Sequence, residues 1–523
     1  MPTDRFADAP LRASTAAWLN VTVGIGHFLV LFNTGAYLPM IPRVGGSLGV
    51  DPAFIDWTQA NFFLAMALAF ATASLWTNSL GARRVILGAF VVFAAASAVC
   101  GTTGNYRVFL LARMVQGYAG GITIPVSLVI LLRHYTPAKR HIGLTLWGVA
   151  AITPFTLGPA VGGWITDALG WRWLFHANII ASLLTVLLLA TFLPPDTEAP
   201  TPTRTDWPGL LALTAGLIAL QSACNLGEVR DWLRAPAIVE LLIGGGIALA
   251  YFAVWSWSAP NAILDLRLLA RRNFLIGGLG LLLTAIWFQG LLALYVVQFQ
   301  ISLGYSAWRV GLLLLPMAVF SKITSVATHR TIQRADPRLI GAVALAGLAL
   351  GSFWIASYDR NASFDALLWP QVLAGIFLGA LFPPFAAIAL SGLRGAPELR
   401  GAAFLNTLRA CGQALGIPLI TVLWERRRIL HRHFLDAGDA FTNTMLHRAA
   451  RALGHYHMTR IAARAHLVQA IAHHGALLAF NEAFSVGGYA FSALAVFLLL
   501  ARRPVFAEPD TRVQKAIEEL VEP

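Results

Sequence analysis

The sequence predicts an all-α integral membrane protein of fourteen spans, built as two six-helix bundles with two additional central transmembrane helices. Three observations carry this. Of the 523 residues 57% are hydrophobic and only 12% are charged, against about 25% charged in an ordinary soluble domain. Apolar runs able to cross a hydrocarbon core of about 30 Å, which takes about 20 residues at 1.5 Å each, recur along the whole chain. The first and last groups of runs also echo each other around a central pair.

The first group comprises Ala17 to Pro39, Trp57 to Leu75, Val85 to Cys100, Val108 to Leu132, Ile142 to Ile165 and Trp173 to Leu193. Each is read as a helix, because an open strand would leave backbone groups unpaired in lipid. The polar, proline-rich stretch PPDTEAPTPTRTDWPG (194–209) ends this group. The central pair is Gly209 to Leu226 and Ala237 to Trp257, and SAPNAILDLRLLARRN (258–273) leads out of it. The last group comprises Phe274 to Val297, Val310 to Ala327, Ile340 to Ala356, Leu367 to Leu390, Ala402 to Leu423 and Leu478 to Leu500. The expected domains are therefore 1–196, 197–262 and 263–523, the last including an extracytoplasmic loop at 424–477. NSLGARRV after the second span is echoed by QRADPRLI after the tenth, and LGPAVGG in the fifth by LGIPLIT in the thirteenth. Such repeats go with two pseudo-symmetric bundles and a site between them near the midplane.

The formal charge of +13 does not mark a nucleic-acid partner. An even number of spans puts both termini on one side, and Lys and Arg crowd the loops of that side, whereas the short loops opposite hold only seven. That is the positive-inside bias, and it places both termini in the cytoplasm of a cell (inner) membrane protein. The polar first sixteen residues hold no cleavable signal pattern, so the first span doubles as an insertion signal. Cys100, Cys224 and Cys411 all fall within spans, which argues against a disulfide framework. The loop 424–477 holds 8 Arg and 8 of the chain's 13 His; long loops are exempt from the charge bias. Without Cys or a four-ligand spacing no metal is assigned there. It is read as a solvated amphipathic hairpin, open to a periplasmic partner.

Within the spans, Arg113 opens the stretch RMVQGYAGG, and an intramembrane cation must face a bundle interior or a watery cavity. Gly117, Gly120 and Gly121 follow at spacings that let a neighbouring helix approach closely. TPFTLGPAVGGWI in the fifth span combines Pro154, Gly158, Pro159, Gly162 and Gly163. The prolines remove helical hydrogen bonds and the glycines remove bulk, which suits a kinked, tightly packed pivot.

RMVQGYAGG (113–121) is similar to the fourth-span motif of major facilitator drug exporters, and LGPAVGGWI (157–165) to their fifth-span antiporter motif. GWRWLFHANI (170–179), LDLRLLARRNF (264–274) and FLNTLRACGQALG (404–416) resemble landmarks of the fourteen-span drug:proton antiporter branch, the EmrB/QacA-like family. The resemblance covers nearly the whole chain. It implies a major facilitator fold and an exporter of small amphipathic or aromatic compounds that works by alternating access and proton exchange, with the proton gradient as energy source and no cofactor. A periplasmic membrane-fusion adaptor is the implied partner, beside the lipid bilayer and the small-molecule substrate. By the same carry-over Arg113, Gln116 and Gly117 belong to a proton or substrate relay, Gly158, Pro159, Gly162 and Gly163 to a gating helix, and Asn406 and Arg409 to the cavity wall. Two positions depart from the family pattern. The first-span Leu-Asp is replaced in Leu31-Phe32-Asn33-Thr34, and the Asp before the second loop's Gly-x-Arg is replaced by Asn78, ahead of Gly81, Arg83 and Arg84.

With the first-span carboxylate gone, no Asp or Glu stands near a midplane; Glu482 lies toward an outer end and Asp56 precedes the second span. Among side chains well inside a span, His27 is the one whose ordinary pKa, about 6.5, falls in the physiological range. It is a candidate for proton coupling, with Asn20 and Thr34 on its face at seven-residue spacing and Glu482 in reserve; a neutral His hydrogen-bonded inside the bundle is the alternative. The expected cavity wall includes Asn33, Thr34, Tyr37, Trp147, Asn406 and Arg409. Its Arg113, Arg409 and His27 favour anionic or neutral aromatic ligands over lipophilic cations. Two other readings stay open: a proton-independent facilitator or uptake carrier for small organic anions, and a non-transporting membrane sensor. No nucleophile–base pair or phosphate-cradling loop points to an enzyme.

Overall fold

The computed structural model of the chain describes residues 13–134, 157–196, 205–301, 303–332, 334–359, 362–436 and 460–503, and among these it is helical, with no strand. The helices are α1 (Ala13–Ala36), α2 (Ile41–Leu48), α3 (Pro52–Ile55), α4 (Trp57–Leu80), α5 (Ala82–Thr102) and α6 (Tyr106–His134). After α7 (157–168) come α8 (Arg172–Phe192), α9 (Trp207–Leu226), α10 (Pro236–Ser258), α11 (Arg272–Ile301) and α12 (Ala307–Thr331). The chain closes with α13 (Pro337–Ala356), α14 (Phe364–Gly379), α15 (Phe382–Ala389), α16 (Ala396–Asp436) and α17 (Arg460–Leu499). Among the described residues thirteen helical stretches are long and apolar enough to cross a membrane. The fifth expected span is described only from Leu157 onward, so Pro154 and the expected cavity residue Trp147 lie outside the described residues.

Within the first six spans α6 packs on α4 and α5, and α8 on α5 and α1; in the last six α11 packs on α16, α12 on α14, and α13 on α17. The central α9 and α10 pack on each other, Gly216 lying against Leu249. Outward-facing side chains such as Ile180 and Val254, exposed by 70% and 72%, are apolar. That is unfavourable in water and suited to lipid.

Trp18 stacks on Phe192, and Asp196 just beyond accepts from the Arg83 backbone N–H at 3.2 Å, so the start of α1, the α4–α5 turn and the end of α8 share one face of the molecule. The end of α17 joins the starts of α11 and α13 through Arg272 to the Leu500 carbonyl at 2.7 Å and Arg338 to that of Ala501 at 2.9 Å. We call this the terminal face.

At the opposite face the halves meet along a seam. Gln300 Nε2 donates to the Pro39 carbonyl at 2.9 Å, and the Trp308 N–H to Asp167 Oδ2 at 2.8 Å. Backbones touch there because side chains are missing. A Cβ on Gly163 would lie 2.3 Å from the Ala307 carbonyl oxygen, and one on Gly311 2.3 Å from that of Pro159.

The flanks of the loop expected at 424–477 are continuations of the last two spanning helices. At 41 and 40 residues, α16 and α17 run about 60 Å at 1.5 Å per residue, twice the hydrocarbon thickness. They stay paired beyond the core through Trp424 Nε1 to the Ala476 carbonyl at 3.1 Å.

Candidate functional site

Arg113 is wholly buried inside the first half. Its position on α6 places it one turn from Gln116, and Nη1 donates to Gln116 Oε1 at 2.6 Å. Nη2 donates to Gln59 Oε1 on α4 at 2.7 Å. Both amides are then oriented uniquely: Gln116 Nε2 donates to Ser97 Oγ at 2.7 Å, and Gln59 Nε2 to the Thr34 carbonyl at 3.3 Å. A single hydrogen-bonded chain thus ties α1, α4, α6 and α5 together. The guanidinium carbon also lies 4.0 Å from the Tyr37 ring centre and 4.4 Å from that of Phe62. Carbonyl dipoles and π faces take the place of a carboxylate; desolvated cation–π contacts are worth about 2 kcal/mol each.

Of the two settings expected for Arg113, this is the bundle interior rather than the watery cavity. The same packing corrects two expected cavity residues. Tyr37 is enclosed between Arg113, Phe109 and Phe175, with its hydroxyl 2.6 Å from Thr58 Oγ1. Asn33 is fully buried and its Oδ1 accepts from Asn178 Nδ2 at 2.8 Å, so it ties α1 to α8 inside the same half. Gly117 allows α6 to touch α4: a Cβ there would lie 2.4 Å from the Phe62 carbonyl oxygen.

A second group lies where the halves face each other. His27 on α1 is buried, and the Arg409 guanidinium on α16 is within electrostatic reach of it. Fourteen residues from the start of α1 and thirteen from the start of α16, the two stand at matching depths of about 20 Å along their helices. Arg409 Nη2 donates to Asn406 Oδ1 at 3.3 Å, Asn406 is exposed, and the guanidinium lies 5.7 Å from the Phe382 ring. Asn20 and Thr34 are buried on the same helix as His27, but each donates to a carbonyl one turn back, Ala16 and Val30. Thr34 also borders a small void with Pro159, Gln289 and Leu378.

The glycines of α7 are spacers. Cβ atoms on Gly158 and Gly162 would lie 2.7 Å and 2.3 Å from the Ala36 backbone of α1, so α7 is wedged between α1 and α12. In the α4–α5 turn Gly81 has φ +87°, open to glycine, and a Cβ there would strike Asp196 at 2.2 Å. Arg83 Nη2 reaches the Ala190 carbonyl at 2.9 Å, while Asn78 and Arg84 are exposed. Asp196 thus supplies the carboxylate beside this turn. Glu482, the reserve relay candidate, pairs with His431 at 3.0 Å and Arg427 at 3.3 Å where α16 and α17 project beyond the core.

Gln59, Ser97, Asn178 and Asp196 are the participants that the sequence did not reveal. So is Asp56, which is 7% exposed at the seam and hydrogen-bonds Thr421 of α16.

The chain is 28% identical to the fatty acid resistance protein FarB of Neisseria gonorrhoeae over 95% of its length and 98% of that protein's. It is 27% identical to the multidrug export protein EmrB of Escherichia coli K12, over 96% and 97%. Among solved structures, a bacterial homologue of the human lysosomal transporter Spinster shares the fold with a TM-score of 0.62 at 13% identity, over 95% of this chain and all of that one. The model of the Major Facilitator Superfamily matches residues 23–417, and with the helices, seam and buried polar chain described above, the chain belongs to that superfamily.

Proposed function

We propose that the protein is a secondary active transporter of the cell (inner) membrane that exports small amphipathic or aromatic compounds by alternating access, coupled to proton entry. The observation that carries this is the seam: two halves latched at one face by hydrogen bonds and glycine contacts, with His27 and Arg409 set opposite each other at mid-depth. Such a seam can open only by moving the halves apart, which is the rocking step of alternating access. The positive-inside bias puts the terminal face in the cytoplasm.

Arg409 and His27 favour anionic over cationic ligands. The similarity to FarB, a fatty acid resistance protein, supports amphipathic carboxylates as the substrate class. Asn406 and Arg409 meet the polar end of the ligand, and α7 acts as the gating helix. The projecting α16–α17 hairpin offers a surface for a periplasmic membrane-fusion adaptor. A proton-independent facilitator for small organic anions is the second reading, favoured by the replacement of the first-span Leu-Asp in Leu31-Phe32-Asn33-Thr34.

Counterflow in proteoliposomes, with a panel of anionic, neutral and cationic aromatics and with or without a pH difference, tests the proposal. Exchange of anionic and neutral compounds, accumulated when a pH difference is imposed, is the expected result. Exchange that ignores the pH difference returns the second reading, and no exchange at all rejects transport of these compounds.

A further inference from the structure

Asp56 occupies the N-cap position of α4, where a carboxylate ordinarily accepts from the first-turn N–H groups. Here it does not: the side chain makes no capping hydrogen bond. The Gln59 and Ala60 N–H groups go instead to the Asp56 backbone carbonyl, at 3.1 Å each. The carboxyl is turned to the seam, where Thr421 of the other half hydrogen-bonds it, and Oδ1 is buried with no hydrogen-bond partner among the described residues. A carboxylate kept only for structure would be expected to cap its helix or meet a cation, and this one does neither.

Its surroundings are protic but uncharged. The titratable groups facing it are the phenols of Tyr37 and Tyr106. Tyr37 is already hydrogen-bonded to Thr58, and Tyr106 donates to the Phe54 carbonyl at 2.7 Å. Arg113 stands behind the Tyr37 ring. From α16 the facing group is Thr421; Glu425, one turn on, is held by Arg428. Among the described residues no cation acts on the carboxyl, and burial pushes it up to about 7.

We infer that Asp56 binds the transported proton at the opposite-face seam, and that protonation of this carboxyl allows the seam to close. With the seam apart, Asp56 meets the solution on that side and exchanges a proton with it. With the seam shut, the carboxyl is enclosed beside Thr421, and an ion there would lose its hydration without gaining a partner. The neutral acid is then the form that fits, so the seam shuts behind a proton taken from the opposite side. Lowering the pH through neutrality therefore favours the closed seam, and raising it favours the open one. Of the titratable residues in the first half, Asp56 is placed to do what the absent first-span carboxylate would do, and the inference rests on the proton-coupled reading above.

The test uses spin labels at Ser47→Cys and Leu430→Cys, exposed positions in opposite halves, on the full chain in liposomes. The inter-label distance is followed against pH, alongside substrate accumulation driven by a pH difference. Wild type is expected to shift from short to long distances as pH rises through neutrality. Asp56→Asn, which fixes a neutral side chain of the same shape, is expected to favour short distances in a proportion that no longer changes with pH, and to lose gradient-driven accumulation while keeping counterflow. Thr421→Val removes the donor that favours the carboxylate and is expected to move the midpoint to higher pH. A wild-type seam that does not respond to pH, an Asp56→Asn seam that still does, or a Thr421→Val midpoint that stays in place overturns the assignment. If wild type shows no gradient-driven accumulation, the coupled reading itself fails; accumulation that persists in Asp56→Asn removes only the role of Asp56.

Discussion

Arg113 on α6 and Gln59 on α4 are joined by a 2.7 Å hydrogen bond inside a core where no carboxylate among the described residues pairs with this cation. The pair fixes the contact between two helices, because the Gln59 amide cannot turn without losing the Thr34 carbonyl as well. Hydrogen bonds to charged groups are worth about 1.5–3 kcal/mol. Gln59→Leu is therefore expected to lower stability by about 2 kcal/mol or more, read as a lower thermal unfolding midpoint in detergent; an unchanged midpoint would contradict the buried chain. Arg113→Lys provides a point charge in place of a planar fork and cannot serve Gln59 and Gln116 together, so it is expected to fall in stability as well.

At the seam, Gly163 and Gly311 permit backbone contact between the halves. Overpacking typically costs about 1–3 kcal/mol, and here the cost falls on the closed seam alone. Gly163→Val and Gly311→Val are expected to hold the opposite face open and to reduce export without loss of expression. A cysteine at Trp308, challenged with a membrane-impermeant thiol reagent from that side, should label faster in either variant; equal labelling rates would argue against the contact as a gate.

The charge at mid-depth sets selectivity. Arg409→Gln is expected to weaken transport of aromatic carboxylates more than that of neutral aromatics, and His27→Gln less so, because the imidazole carries no full charge when neutral. Resistance profiles that compare an aromatic acid with a quaternary ammonium dye check this; stronger wild-type protection against the dye would count against it.

Glu482 provides a contrast with Asp56. Its partners Arg427 and His431 are only partly buried, and exposed ion pairs are worth about 0–1 kcal/mol. Glu482→Gln is expected to keep gradient-driven transport and to shift the unfolding midpoint little; loss of coupling in this variant would return Glu482 to the relay.

Much of this architecture is legible in the residues. Lipid allows few backbone solutions, so the apolar runs state the helices almost directly. The pairing of Arg113 with Gln116 follows from their three-residue spacing on one helix face. What periodicity does not give is the neighbour. Gln59 meets Arg113 from 54 positions away, and Asn178 meets Asn33 from 145, so Asn33 reads as a cavity residue until α8 is in place. Tyr37 is apolar over most of its surface, and only the position of Arg113 decides that it stacks in the core. Asp56 is set aside in the sequence for a related reason: it precedes its helix, where a carboxylate usually caps, and nothing local tells that it faces Thr421 instead.

The central claim, that proton entry drives export through a seam between two rocking halves, is tested most directly in everted membrane vesicles loaded with a pH-sensitive dye. Addition of an aromatic carboxylate after acidification of the lumen should release protons outward while the compound accumulates inside, and both movements should stop together when the gradient is collapsed. Accumulation that continues after the collapse, or proton release with no movement of the compound, would contradict the account.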